Sequence, residues 1–143
     1  MSKDLVNKKY ILYRILDANI NRLQEGLRVC EDSARFILNN YYLSRKFKNL
    51  RHYLNRVHMD LPLEKKILMK ARDTEKDVGK ESTYYEMQRN NFRDIIFANL
   101  QRVKESLRVL EEFSKLIDKS ISEKYKRIRY EVYRIEKKIA LSI

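Results

Sequence analysis

The sequence predicts an all-α protein, a duplicated helical hairpin forming a four- to five-helix bundle with pseudo-twofold symmetry. Three observations carry this. Only two glycines and one proline occur among 143 residues, and 36% of the chain is charged, a composition that suits helices and not sheets. Apolar residues recur at spacings of three and four, while an alternating pattern is hard to find. Finally, Ala18–Asp32 returns eighty residues later as Ala98–Glu112, with eight of the fifteen positions identical. A repeat of this kind sets the architecture of the whole chain.

The first helix is expected from about Lys8 to Leu38, with Leu16, Ile20, Leu23, Leu27, Cys30, Ala34 and Leu38 as its apolar stripe. Asn39-Asn40 supplies the stop, since Asn tolerates the left-handed conformation that ends helices. A second helix starts near Ser44 as N-cap and carries Phe47, Leu50, Leu54 and Val57 on one face. This segment repeats too: Phe47–His52 corresponds to Tyr125–Tyr130. His58–Pro62 breaks the helix, and Pro62 suits the first turn of a short helix holding Ile67, Leu68 and Ala71. An irregular stretch, Ala71–Ser82, follows. Thr83 and Glu86 form a capping box that opens the long third helix, with Ile96, Leu100, Val103, Leu107, Leu110, Ser114 and Ile117 as its stripe. Ser120 and Glu123 open the fourth helix, which runs to about Ile139. The chain is thus expected to be a single helical domain over 1–143, with repeat halves of about 8–60 and 84–141 joined by a short helix and loop at 61–83.

The polar residues beside the stripes are the informative ones. At 100° per residue, Asn19, Arg22 and Gly26 share one flank, as do Asn99, Arg102 and Ser106. Glu25 and Glu105 lie within i,i+3 reach of those arginines. A close helix crossing edged by Arg–Glu pairs explains the pattern, and so does an anion pocket; both stand at this point.

Several chemistries are excluded. Two isolated glycines make neither a P-loop nor a dinucleotide fingerprint. His52 and His58 are too few and too far apart for a zinc set. Cys30 falls on the core face, and a lone cysteine rules out an intrachain disulfide. No signal-peptide core is present, and no run approaches the roughly 18 apolar residues that span a bilayer. A cytoplasmic protein without membrane association is therefore expected. The strongest chemical candidate is the connector, where Arg72, Asp73, Asp77 and Gly79 combine a phosphate-matching cation, two carboxylates suited to Mg²⁺ and a flexible backbone point. A charged loop with Asp caps and turns is the plainer alternative.

Four motifs stand in order along the chain: Ala18–Asp32, Ala71–Gly79 (Ala-Arg-Asp-Thr-Glu-Lys-Asp-Val-Gly), Ala98–Glu112 and Lys126–Tyr133. Together they resemble the small non-canonical hydroxymethylpyrimidine phosphate kinases of thiamine synthesis, a domain that also occurs fused in front of thiamine phosphate synthase. The likeness extends from about Tyr13 to Ile139. It implies ATP-dependent phosphorylation of hydroxymethylpyrimidine monophosphate to the diphosphate, with the free alcohol not a substrate. The barrel of the fused synthase is absent, so thiamine phosphate itself is not an expected product.

Chemistry then suggests roles. Arg22 and Arg102 are expected to face a shared cleft and hold phosphates, with Asn19 and Asn99 orienting the pyrimidine amine or phosphate oxygens. Asp73 and Asp77 are expected to hold Mg²⁺, and Arg72 to steady the transferring group. Glu25 and Glu105 would lock the arginine rotamers, or one of them would supplement the metal. Arg51 and Arg129 are second-rank phosphate ligands. An ancestral homodimer of hairpins would explain the repeat, and a present-day homodimer is compatible with it. Two rivals stand beside this reading. The net charge of +12 permits a nucleic-acid module, although arginines alternating with glutamates disfavour a polyanion. A scaffold or regulatory bundle without chemistry is the other.

Overall fold

In the computed structural model, residues 3–143 are described, the side chains of Leu5 and Val6 excepted. All regular structure among the described residues is helical. Helix α1 spans Lys3–Asp32 and passes into a π-helical turn at Ser33–Ile37; α2 spans Tyr41–Asp60, α3 Lys65–Ala71, α4 Tyr84–Met87, α5 Phe92–Ser114 and α6 Lys119–Ser142. The hairpins α1/α2 and α5/α6 are the two repeat halves.

The helix interiors lie where the apolar periods put them, but several ends differ from expectation. The first helix begins earlier, at Lys3, and its α-helical geometry stops at Asp32. Ser33 Oγ donates to the Val29 carbonyl at 2.7 Å, a local bond of the kind that bends helices, and the last turn widens so that the Leu38 amide bonds to the Ser33 carbonyl. Asn39 then takes φ 47°, the left-handed stop foreseen for it. The cap of α2 is Asn40, not Ser44; its side chain accepts from the Leu43 amide. Pro62 lies ahead of α3, whose N-cap is Glu64. Thr83 does cap, accepting from the Glu86 amide, but the helix it opens is only the four residues of α4. The long helix starts from Asn91, which accepts from the Asp94 amide, and α6 starts from Asp118, not Ser120.

Helix directions follow from the cross-links. Gln24 pairs with Asn55 and Glu31 with Arg51, so α2 runs antiparallel to α1. Lys104 pairs with Glu136 and Glu111 with Arg129, so α6 runs antiparallel to α5. Lys46 meets Glu131 while His58 meets Tyr125, so α2 and α6 are antiparallel as well. It follows that α1 and α5 are antiparallel, the relation produced by a twofold axis perpendicular to them. These two helices form the central pair. Leu16, Leu23 and Leu27 of α1, with Leu100, Val103 and Leu107 of α5, are fully buried between them, each leucine contributing about 1.5–3 kcal/mol. Phe47 and Leu54 of α2 and Tyr125, Val132 and Ile135 of α6 close the core from outside. Cys30 is buried as a core residue, and desolvation pushes its thiol pKa up to about 12, which keeps it a neutral, unreactive thiol.

At the crossing of the central pair Gly26 meets the α5 backbone. A Cβ on Gly26 would lie 2.9 Å from Val103 Cγ2 and 3.5 Å from the Asn99 carbonyl oxygen. Val103 is fully buried and β-branched, so its side chain has little freedom to move aside in a helix. Gly26→Leu is therefore expected to destabilise the fold by about 2–3 kcal/mol, read as a fall in the urea midpoint. An unchanged midpoint would mean that the two helices do not approach this closely.

Candidate active site

The connector between α3 and α4 folds back against α1. Arg72 donates from Nε and Nη2 to the two carboxylate oxygens of Asp17 at 2.7 and 2.8 Å, the bidentate geometry that a guanidinium offers a carboxylate. Asp17 is only 7% exposed while the Arg72 side chain is 36% exposed, so the pair fixes the connector to the helix from the solvent side. Asp17 raises the Arg72 pKa in turn. Beyond this anchor two Asx-type turns shape the loop: Asp73 Oδ1 accepts from the Lys76 amide at 3.0 Å and Asp77 Oδ1 from the Gly79 amide at 2.9 Å. Each aspartate keeps its other oxygen outside that turn.

The anchor borders an open cavity of about 610 Å³ lined by Ile11, Arg14, Ile15, Asp17, Ala18, Asn19, Asn21, Arg22, Glu25, Arg72, Asp73, Thr74 and Asp77. Asn19 donates its Nδ2 to the Ile15 carbonyl at 2.9 Å, which holds the amide against its own helix. Two arginines on α1 and one on the connector thus share a wall with two connector carboxylates.

The profile of the ThiD2 family matches residues 14–138. The chain belongs to the ThiD2 family. It is 44% identical over 127 residues to a thiamine-phosphate synthase of Nostoc punctiforme, a match covering 88% of this chain and 34% of that protein. It is 46% identical over 124 residues to the thiamine-phosphate synthase of Synechocystis sp., covering 86% and 34% respectively. A thiamine-phosphate synthase of Rhodopirellula baltica shares 38% over 138 residues, covering 91% and 34%. The chain thus spans about a third of the length of the curated relatives it matches. No solved structure matches it.

In this ThiD2 chain the cavity gathers Asn19, Arg22, Glu25, Arg72, Asp73 and Asp77, while Asn99, Arg102, Glu105 and Gly79 are not part of its lining. Of the two polar sets expected to share a cleft, this cavity takes that of the first repeat, together with the connector. Asn99 repeats the Asn19 bond, donating to Ile95 O at 2.8 Å, so that feature belongs to both helices whether or not a pocket is there. Glu25 and Glu105 do not lock the arginines: among the described residues neither forms an ion pair with Arg22 or Arg102, and Glu105 instead accepts from Gln101 at 3.0 Å. Arg51 and Arg129 also lie outside the cavity lining, and their partners are buried glutamates. Arg51 Nε donates to Glu31 at 2.9 Å and Arg129 Nη2 to Glu111 at 3.2 Å. They tie the helices of each hairpin together.

Sequence reasoning missed Arg14, Asp17 and Asn21. The signal lay in the repeat's departures, not its identities. At the offset of eighty, Arg14 and Asp17 correspond to Asp94 and Phe97. Phe97 packs on the core and offers nothing to a connector arginine.

A second chamber of about 630 Å³ adjoins the first, sharing Asp17, Asn21 and Arg72 with it. Its wall is largely apolar, from Ile20, Met59, Leu63, Leu68 and Met69, with Gln24, Asn55, His58 and Lys65 as polar members. A third cavity, lined by Arg35, Arg45 and Lys48 among others, sits at the far end of the first hairpin and holds none of the expected site residues.

His58 is packed against Tyr125, with Nδ1 2.8 Å from the phenolic oxygen. Burial lowers its pKa from 6.5 to about 4, so the imidazole is neutral at neutral pH. Between those values the unfolded chain binds a proton that the folded chain refuses. Stability from this group is therefore complete above pH 6.5, falls as pH drops towards 4 and levels off below. The loss amounts to about 3 kcal/mol. Urea unfolding of the wild type and His58→Gln across this window should show the wild-type advantage shrinking as pH falls. A pH-independent difference would mean that the ring is not held neutral.

The carboxylates also bear on a metal. Among the described residues no group of three or more potential ligands converges, which does not suit an all-protein cage. Mg²⁺, however, takes one or two carboxylates and completes its shell with water and substrate phosphates, and Asp73 and Asp77 both line the cavity. No described helix is long and apolar enough to cross a membrane.

Proposed function

We propose that the chain is a kinase that uses ATP to phosphorylate hydroxymethylpyrimidine monophosphate to the diphosphate in thiamine biosynthesis. One observation supports it most: the connector's Arg72, Asp73 and Asp77 line the same cavity as Arg14, Arg22 and Asn19 of α1. Phosphoryl transfer asks little covalent chemistry of a protein beyond positioning and charge neutralisation. An oxygen of the acceptor's phosphate attacks the γ-phosphorus of ATP. A new P–O bond forms, the bond from that phosphorus to the β–γ bridging oxygen breaks, and ADP leaves with its electron pair. Arg22 and Arg14 hold the acceptor's phosphate. Arg72 has spent two of its five N–H groups on Asp17 and offers the others to the transferring group. Asp73 and Asp77 would hold Mg²⁺, which screens phosphate charge when bound.

The test is an assay with ATP, Mg²⁺ and hydroxymethylpyrimidine monophosphate, read by ADP formation. Absence of turnover would overturn the proposal. With the free alcohol the arginines that hold the acceptor's phosphate are left without their partner. Its kcat/KM is expected to be lower by about 10⁴, and comparable rates on the two acceptors would remove the arginines from this role.

A further inference from the structure

The corner of the first hairpin carries a charge pattern that the second hairpin lacks. Arg35 from the π-helical turn and Arg45 and Lys48 from α2 line one open cavity of about 630 Å³. Among the described residues none of the three forms an ion pair. Glu31 is the lone carboxylate of the lining, and its oxygens face Arg28 at 3.6 Å and Arg51 at 2.9 Å. The repeat is an internal control for this corner. At the offset of 78, Asn40 corresponds to Asp118, Arg45 to Glu123 and Lys48 to Lys126. Glu123 and Lys126 are opposite charges three residues apart, which support a helix, whereas Arg45 and Lys48 are like charges at the same spacing, which weaken one. At the offset of eighty, Arg35 corresponds to Lys115, which Glu112 neutralises at 2.9 Å. The first corner is also two residues longer: Leu38 and Asn39 have no counterpart between Ile117 and Asp118. Asn39 turns the chain at φ 47°, and it lines the cavity together with Asn40. Folding such a hairpin thus requires neither the extra residues nor the unbalanced charge.

We propose that this corner binds a polyphosphate group, two or more linked phosphates, at a site separate from the cavity beside the connector. A single phosphate brings a charge of only about −1.5 to −2, while three cations line the cavity. Arg45 is held in place by its neighbour: Nη1 donates to the Tyr41 hydroxyl at 2.7 Å, which leaves the remaining N–H groups for an anion. Arg35 supplies a second planar fork and Lys48 a point charge. The rest of the lining is hydrogen-bonding, from Ser44 and Asn49 among others, with no aliphatic side chain in it. The charged group itself is therefore what the wall recognises. The volume is that of a small-molecule site, which favours a diphosphate or triphosphate over a polymer backbone. Two sources offer that group, inorganic pyrophosphate and the phosphate chain of a nucleotide.

The experiment uses the full chain at low ionic strength. No turnover enters the readout, so the result stands apart from the kinase reading. Sodium pyrophosphate is titrated into the ¹⁵N-labelled protein, and the backbone amide signals of residues 39–45 are followed. They are expected to shift saturably. Asn40→Asp with Arg45→Glu gives this corner the residues of the second hairpin, where Asp118 caps α6 and the fold accepts both. The double variant is expected to bind pyrophosphate at the corner about tenfold more weakly, while the signals of residues 14–25 respond as in the wild type. Lys48→Gln, at an exposed position, repeats the test with a smaller expected loss of about threefold. Orthophosphate should bind the corner about tenfold more weakly than pyrophosphate. ADP with the affinity of pyrophosphate shows that the phosphates alone are recognised, and a tighter ADP adds the nucleoside; either supports the site. Corner signals that do not saturate, an affinity unchanged in either variant, or equal affinities for orthophosphate and pyrophosphate would overturn the proposal. So would a DNA oligonucleotide that binds the corner more tightly than pyrophosphate does, since the charge would then serve nucleic acid.

Discussion

Arg72→Ala is expected to lower kcat by about 10²–10³, the usual cost of removing one preorganised donor to developing charge. The structure adds that the variant will not keep its wild-type melting point, as a free loop arginine would allow, because Asp17 loses its bidentate partner at a site 7% exposed. Arg72→Lys separates the two effects. Lysine restores a positive charge near Asp17 but not the planar fork that serves carboxylate and phosphate together. Most of the lost stability should return in Arg72→Lys while turnover stays at least tenfold down. The measurements are thermal unfolding and steady-state kinetics on the same preparations. Full turnover in either variant would show that the arginine serves only as a clasp for the connector.

The largest expected effect on stability lies away from the cavity. Glu111 is 3% exposed and Arg129 7% exposed, and they meet at 3.2 Å between α5 and α6. Arg129→Ala strands the carboxylate, and the expected cost is about 3–5 kcal/mol. The figure should fall near the lower end, since Arg108 also reaches Glu111 at 2.9 Å from its exposed position. Replacing both partners, as Arg129→Met with Glu111→Leu, should recover most of the loss, because a buried pair gains little over a well-packed apolar contact. Arg51→Ala, which breaks the corresponding bond to Glu31 in the other hairpin, should cost less, since Arg51 is more exposed. Chemical denaturation of the three variants checks the order. A double variant no better than Arg129→Ala would indicate that the pair is needed for more than mutual neutralisation.

The pairings Glu31–Arg51 and Glu111–Arg129 also show what the sequence made legible. The duplication, the helical stripes and the core place of Cys30 could all be read, because a 3.6-residue apolar period repeated over long segments has one physical interpretation. Helix starts were read less well. Asn40, Asn91 and Asp118 each lie close to another residue able to cap, and side-chain chemistry alone does not choose between neighbours. For the candidate site, the polar set of the first repeat and the connector line one cavity, and Asn99, Arg102 and Glu105 are not part of its lining. The identical positions Asn19/Asn99 and Arg22/Arg102 suggested equal roles. What directs the connector to one half is Asp17, whose counterpart is Phe97, and a single charged residue beside an apolar stripe gives no periodic signal. The hydrogen bond of His58 is not legible in the sequence, since its hydroxyl partner lies sixty-seven positions away and long-range pairs leave no local trace.

The contrast between Asp17 and Phe97 gives a skeleton of matched halves a division of labour. A change at Arg14 or Asp17 falls on the cavity lining. The equivalent change at Asp94 or Phe97 falls on scaffolding: Asp94 accepts from the Asn90 amide at the start of α5, and Phe97 packs on the core. Drift is therefore tolerated differently by two helices of nearly the same shape, and the second can acquire new surface character without disturbing the first.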